Sequence, residues 1–259
     1  MDDLSGIRAL VTGATSGLGR AMAQALARAG AQVAVTGRSL ARAEAVAREL
    51  GARASAFELD VRREGSVRAC ADLVHARLGG VDLLVNNAGI GMRTVNPRFM
   101  TSPQPFWRVS PEGFRDVVET KLTGTFLVSR EVVPRMLAAG GGRVVNISMN
   151  TATMSRVGFV PYGPAGAGVE ALSRIMAADL AGTPVTVNIL LPGGPTATGM
   201  IPPDIAPEAR SQLLDPAIMG PPIVWLASPR AAGIHNQRIV ASEFRDPGHP
   251  ATEPTASGR

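Results

Sequence analysis

Thr12-Gly13-Ala14-Thr15-Ser16-Gly17-Leu18-Gly19 stands between a β-branched apolar run at 7–12 and a stretch at 18–29 whose apolar side chains return every three or four residues. A strand that ends in a glycine-rich turn and opens straight into a helix gives each glycine a physical task. One permits the tight turn, another lets backbone N–H groups approach a pyrophosphate, and the last lets the helix pack closely on its strand. The helix N-terminus then offers unpaired donors and the positive end of its dipole to that anion. The turn predicts a phosphate cradle built by Gly13, Thr15, Ser16, Gly17, Leu18 and Gly19.

Outward from this turn, short apolar runs at 32–36, 55–59, 81–86, 143–148, 185–191 and 238–241 alternate with helical patterns at 40–50, 65–78, 111–139 and 167–180. Strand, helix, strand repeated in this way predicts an α/β protein. Its expected core is a doubly wound, Rossmann-type parallel sheet of about seven strands in a single domain, with ligands at the carboxyl ends of the strands. Two long segments, 90–110 and 192–207, interrupt the alternation and are expected to wall a pocket. Residues 1–245 form the expected domain and 246–259, rich in Pro, Gly, Thr and Ser, an expected flexible tail.

Composition excludes several classes. With 45% hydrophobic residues and 18% charged ones, the 259-residue chain has material for a large core and no apolar run near the ~20 residues a membrane span needs. Asp2 and Asp3 precede the first strand, which leaves no basic and apolar leader, so a cytoplasmic protein is expected. One Cys and three scattered His offer no metal cluster. The pI near 10.7 reflects 25 Arg spread along the chain, with one Lys and one Tyr. It is not a basic patch, and no nucleic-acid partner is expected.

At the end of the second strand, where a NAD enzyme places an acid against the ribose, the chain has Thr36-Gly37-Arg38-Ser39. Arg38 leaves room and charge for a 2'-phosphate, so NADP (NADPH) is preferred over NAD.

The turn at 12–19, Asp60-Val61 after the third strand, Asn86-Asn87-Ala88-Gly89 after the fourth, Tyr162 opening a helix and Pro192-Gly193 after the sixth together resemble the short-chain dehydrogenase/reductases. The resemblance implies that Asp60, with Val61 beside it, contacts the adenine and that Asn87, Ala88 and Gly89 line the cofactor. Pro192 and Gly193 border it, and Thr196 or Thr198 holds the nicotinamide carboxamide. It also implies a homodimer or homotetramer through the fourth and fifth helices, acting on a small-molecule substrate.

That family carries a Tyr, a Lys four residues later, a Ser on the preceding strand end and an Asn on the long fourth helix. Here Tyr162 is present, but Gly166 stands four residues on, Met149 stands thirteen residues before the Tyr with Ser148 and Asn150 beside it, and Lys121 stands where the Asn belongs. The charge matters, because a phenol near pKa 10 is ionised to about one part in a thousand at neutral pH. A unit charge about 4 Å away is worth up to ~4 kcal/mol at an effective dielectric near 20.

The catalytic expectation is therefore Tyr162 with a relocated ammonium, Lys121 reaching into the space vacated at Gly166. Drift of a decayed site is the competing reading. Ser148 is the first candidate to polarise the carbonyl and Asn150 the second. Met92, Phe99, Met100, Phe106, Trp107, Met154, Phe159, Met200 and Ile201 are expected to surround a medium-sized hydrophobic carbonyl or alcohol, unless they are core filler. Arg93 and Arg98 are available to an acidic substrate, or are solvated. The leading expectation is an oxidoreductase, the alternative a dinucleotide-binding pseudoenzyme or a non-redox protein on the same scaffold.

Overall fold

Each strand is too short and too apolar to stand exposed, and in the computed structural model, which describes residues 3–247, seven of them pair into one parallel sheet. In chain order the elements are β1 (Arg8–Val11), α1 (Gly17–Arg28), β2 (Gln32–Gly37), α2 (Leu40–Leu50), β3 (Ala54–Glu58), α3 (Glu64–Leu78) and β4 (Leu83–Asn86). Then follow α4 (Pro111–Val118), α5 (Gly124–Ala138), β5 (Gly142–Ile147), α6 (Thr151–Met154), α7 (Tyr162–Asp179), β6 (Val185–Leu191), α8 (Pro207–Ser211), α9 (Gly220–Ala227) and β7 (Arg238–Val240). The strand order is β3-β2-β1-β4-β5-β6-β7, so the winding reverses between β1 and β4. Val11 pairs with Val35 on one side and with Val85 on the other, which opens a crevice at the carboxyl ends of these strands.

The period-2 pleat sorts the side chains into two cores, one on each face of the sheet. Ala9 and Val11 join Met22, Leu26, Ile223 and Trp225 on one side. Leu10, Leu84 and Val144 join Phe57, Val74, Val128 and Val132 on the other. A buried polar chain crosses the second face: Asn86 Nδ2 donates to Ser129 Oγ and to Asn146 Oδ1, both at 2.9 Å, and Asn146 Nδ2 donates to Ser173 Oγ at 2.8 Å. It ties β4 and β5 to α5 and α7.

The expected sheet and single domain are present; the corrections concern helices. The stretch expected at 111–139 is helical from Pro111 to Ala138, but a five-residue π turn, Glu119–Thr123, joins α4 to α5 within it. The helical pattern read at 167–180 extends back to Tyr162, the residue that the family resemblance has opening a helix, since Pro164 falls in its first turn where a missing N–H costs nothing. α9 was not expected: it opens Gly220-Pro221-Pro222, which reads as a turn but suits a helix start. Asp246 and Pro247, the first residues of the expected tail, are bound by the Arg230 guanidinium, and 248–259 lie outside the described residues. Among the described residues no helix is long and apolar enough to cross a membrane.

Candidate active site

Two constructions meet at the crevice, one made of backbone and one of side chains. In the first, Gly13 and Gly17 adopt positive φ of 64° and 53°, the left-handed region that favours glycine. A Cβ on Gly19 would lie 2.4 Å from both Asn87 Nδ2 and Gly13 O, so the helix start and the β4 loop meet without room for a side chain. Asn87 Nδ2 donates to Thr12 O at 3.0 Å and Gly13 O at 3.2 Å, while Thr12 Oγ1 accepts from the N–H groups of Asn87 and Ala88 at 2.9 Å each. The turn is thereby braced from behind. Ser16 precedes α1 with extended backbone and no side-chain cap, so the first N–H groups of the helix point at the crevice unpaired by that side chain. This cradle fits the pyrophosphate of a nicotinamide dinucleotide.

Of the remaining cofactor candidates, Thr198 reaches the cradle, its methyl 3.3 Å from where a Gly17 Cβ would stand. Thr196 turns its hydroxyl back to Gly194 O and bridges to Leu214. Pro192 and Gly193 follow β6, and Gly193 O accepts from Asn150 Nδ2 at 2.8 Å. Arg38 is exposed at the end of β2. Asp60 is engaged by Arg62, which donates to it from Nε at 3.1 Å and Nη2 at 2.9 Å. That guanidinium, with Arg38 more distant, holds the Asp60 carboxyl below the usual range. Val61 is buried against the start of α5, and Ala88 and Gly89 continue the braced loop. A cavity of about 680 Å³ opens beside the cradle, with Gly17, Arg20 and Gln24 on one wall and Thr198, Ile201 and Arg210 on the other.

The second construction gathers Tyr162 and Lys121. Lys121 sits in the π turn between α4 and α5, where the widened turn rotates its side chain inward; π turns of this kind recur at functional sites. It is only 7% exposed. Its Nζ donates to Ile147 O at 3.3 Å and stands 5.5 Å from the centroid of the Tyr162 ring. Burial pushes the Lys121 ammonium down to about 8, opposed by the negative charge of Glu170. Burial likewise pushes the Tyr162 phenol above its ordinary value. The ammonium thus lies against the phenol ring, in the protein interior.

It does not enter the space at Gly166. A Cβ there would lie 2.4 Å from Met149 Cε and 2.9 Å from its Sδ, so the thioether of Met149 fills the volume that the expected relocation assigned to Lys121. The correction has a simple cause: Met149 leaves the end of β5 beside α7, and an unbranched, adaptable side chain occupies a gap of this shape. Two departures from the family pattern, Gly166 and Met149, therefore complete each other sterically.

The two candidates for polarising a carbonyl are already bonded. Ser148 Oγ donates to Glu170 Oε1 at 2.7 Å, and Asn150 spends its amide on Gly193 O. The Tyr162 hydroxyl meets Met200 Sδ at 3.8 Å, and Met200 also lies over Gly91, its Cγ 3.1 Å from where a Cβ would be. Met200 faces the phenol, whereas its neighbours Thr198 and Ile201 line the cavity on the other side of the loop.

Of the apolar residues expected to surround a substrate, Met92, Phe99 and Phe159 form a small buried core against Tyr162, with Val95 and Met100. Phe106 and Trp107 are 68% and 71% exposed. Arg93 donates to Gly199 O at 2.5 Å, clasping the two long segments together. Sequence reasoning missed Glu170 and Arg238, which hold this end of β5; a Glu eight residues after Tyr162, on the same helix, was the available signal.

The family described as short chain dehydrogenase matches residues 8–208. The 3-oxoacyl-(acyl-carrier-protein) reductase of Vibrio cholerae is 34% identical over 250 residues, 92% of this chain and 96% of that protein. The D-threitol dehydrogenase of Mycolicibacterium smegmatis is 38% identical over 192 residues, 73% of this chain and 70% of that protein. The crystal structure of 3-ketoacyl-(acyl-carrier-protein) reductase from Brucella melitensis complexed with NADH superposes with a TM-score of 0.80 at 29% identity, covering 92% of this chain and 97% of that one.

Proposed function

The chain belongs to the short-chain dehydrogenase/reductases, a family of oxidoreductases, and from that premise we propose that it reduces a medium-sized hydrophobic carbonyl with NADPH, Tyr162 donating the proton and Lys121 supplying the ammonium. The observation that carries this reading is the buried Lys121 Nζ at 5.5 Å from the Tyr162 ring centroid. An ammonium over the ring face favours a developing phenolate over the neutral phenol.

A nicotinamide dinucleotide held by the cradle would supply the hydride. The protein's own work is the proton. Tyr162 holds its proton throughout the neutral range, but burial, which raises the phenol, also makes it a weaker acid, so proton donation depends on the Lys121 ammonium beside it. The word reductase in the names of several relatives supports reduction rather than oxidation. Met200 and the clasped segments screen the phenol from water and must shift for a carbonyl oxygen to take the place of the Met200 sulfur.

Arg38, with no acid at the end of β2, supports NADPH, although the Brucella melitensis reductase was crystallised with NADH. Exposed Phe114, Phe126 and Ile175 on α4, α5 and α7 support self-association through these helices, which sedimentation tests. We place the protein in the cytoplasm, with no nucleic-acid or membrane partner.

The deciding experiment follows NADPH oxidation with a panel of ketones and aldehydes. Tyr162→Phe is expected to lower kcat at least ~1,000-fold while leaving NADPH affinity intact. NADPH binding without turnover on any carbonyl in the unmodified protein would overturn the reading in favour of a dinucleotide-binding protein without redox activity.

A further inference from the structure

Four consecutive residues where β5 ends are tethered one by one to four different parts of the fold. The Ile147 carbonyl accepts from Lys121 Nζ at 3.3 Å, and Ser148 Oγ donates to Glu170 Oε1 at 2.7 Å. The Met149 carbonyl accepts from Arg238 Nη2 at 3.0 Å, and Asn150 donates to Gly193 O at 2.8 Å. Two of these tethers converge on one carboxylate, since Arg238 Nε donates to Glu170 Oε1 and Oε2 at 2.9 and 3.1 Å. Glu170 and Arg238 are both largely buried, with side chains 19% and 26% exposed.

We propose that Glu170 is the positioning residue of this site: by holding Ser148 and Arg238 together it fixes the strand end on which Lys121 is anchored, and so sets where the ammonium stands against Tyr162. The proposal rests on the functional reading above for the importance of the Lys121–Tyr162 pair, but its geometry does not depend on turnover. Glu170 lies two helical turns along α7 from Tyr162, so one helix carries both the phenol and the carboxylate that orders its partner.

The charges around Lys121 make the role electrostatic as well as steric. Among the described residues, Tyr162 and Glu170 face it from α7, and Arg238 from β7 stands behind Glu170. The end of β5 contributes a carbonyl and a hydroxyl, and Glu119 on the π turn is exposed and interacts with Arg62. Glu170 is therefore the charge that opposes the effect of burial on the amine, and Arg238 is the cation paired with Glu170.

The test exploits the single lysine of the chain. Protein labelled with 13C at lysine Cε gives one side-chain resonance, whose shift with pH reads the amine with no substrate present. The wild-type midpoint is expected near 8. Glu170→Gln is expected to lower it by about one pH unit, and Arg238→Met, which leaves the carboxylate unpaired, to raise it by about half a unit. The alkaline limb of carbonyl reduction should move with the midpoint in each variant, a shift that a merely structural role would not produce. Glu170→Asp, retaining the charge with a shorter reach, should restore most of the wild-type midpoint, and with Arg238→Met it carries the test if Glu170→Gln does not fold. An unchanged lysine midpoint in Glu170→Gln, or shifts of the same sign in Glu170→Gln and Arg238→Met, overturns the proposal. Absence of turnover on every carbonyl would overturn the functional reading alone, because the resonance still reports the amine.

Discussion

The β1–α1 cradle and the β5–α7 site meet at one crevice but are made of different materials. The cradle is backbone: its shape depends on the glycine at 13, 17 and 19, and its donors are main-chain N–H groups. The phenol site is side chain: its amine comes from a π turn, its filler from a strand end and its anchoring carboxylate from a helix. A backbone device tolerates almost no exchange of residue type. A side-chain device can be rebuilt, since a charge or a volume can be delivered to the same point from another element.

The sharpest way to break this comparison is at the cradle. Gly19→Val places a branched side chain where a Cβ alone already meets Asn87 Nδ2 and Gly13 O at 2.4 Å. Displacing the turn loses two or more charge-assisted hydrogen bonds to a pyrophosphate, and dinucleotide affinity should fall at least ~100-fold by calorimetry. Retained affinity would mean that the backbone construction is as replaceable as the other.

Lys121→Met removes the relocated charge and is expected to lower kcat for reduction about 100-fold. It should also stabilise the fold. The folded amine titrates near 8 and an unfolded one near 10.5, so between these values the unfolded chain binds more protons and stability rises with pH. Below 8 the full penalty is present, about 3 kcal/mol, and Lys121→Met relieves it at pH 7. The advantage should shrink to nothing by about pH 10.5. The raised phenol of Tyr162 costs stability only above pH 10, so the difference between two denaturation series below pH 10 isolates the amine. A gain that did not depend on pH would mark Lys121 as ordinary core.

Met149 and Gly166 test the idea that a site can be rebuilt in pairs. Gly166→Lys alone overpacks against Met149 Cε and should cost about 1–3 kcal/mol. Met149→Ser alone opens a cavity and should cost about 3 kcal/mol. The double variant should cost less than their sum by about 2 kcal/mol, a coupling that additive drift would not show. With Lys121 in place, its activity should rise only a few-fold.

The cradle and the sheet were legible because their signals are local. Residues 12–19 are contiguous, and the alternation of apolar runs needs no partner to be recognised. The phenol site was half legible. Tyr162 and Lys121 stood out by type, but the π turn was hidden, because inserting one residue barely disturbs a three-to-four periodicity across 111–139. That Met149 fills the place of a missing side chain at Gly166, and that Ser148 donates its hydrogen bond to Glu170, depends on contacts across 17 and 22 residues. Composition carries no trace of them. The role of Asn86 and Asn146 as a polar tie between strands and helices was equally hidden, since both sit inside runs that read as apolar.

The smallest expected effect lies at the rim of the cradle, where backbone gives way to side chain within a single pocket. Arg38 is exposed and without an acid beside it on β2, so its contact with a 2'-phosphate would be solvated and worth about 1 kcal/mol. Arg38→Ala should weaken NADPH about five- to tenfold and leave NADH unchanged, and the difference should fade in high salt as screening removes it. Equal losses for both nucleotides would place Arg38 against the adenine or ribose instead. No loss at all would shift the choice of nucleotide to Arg62 and the Asp60 carboxylate it already binds. Cofactor preference would then be set, like the proton site, by a side-chain pair assembled away from the glycine turn.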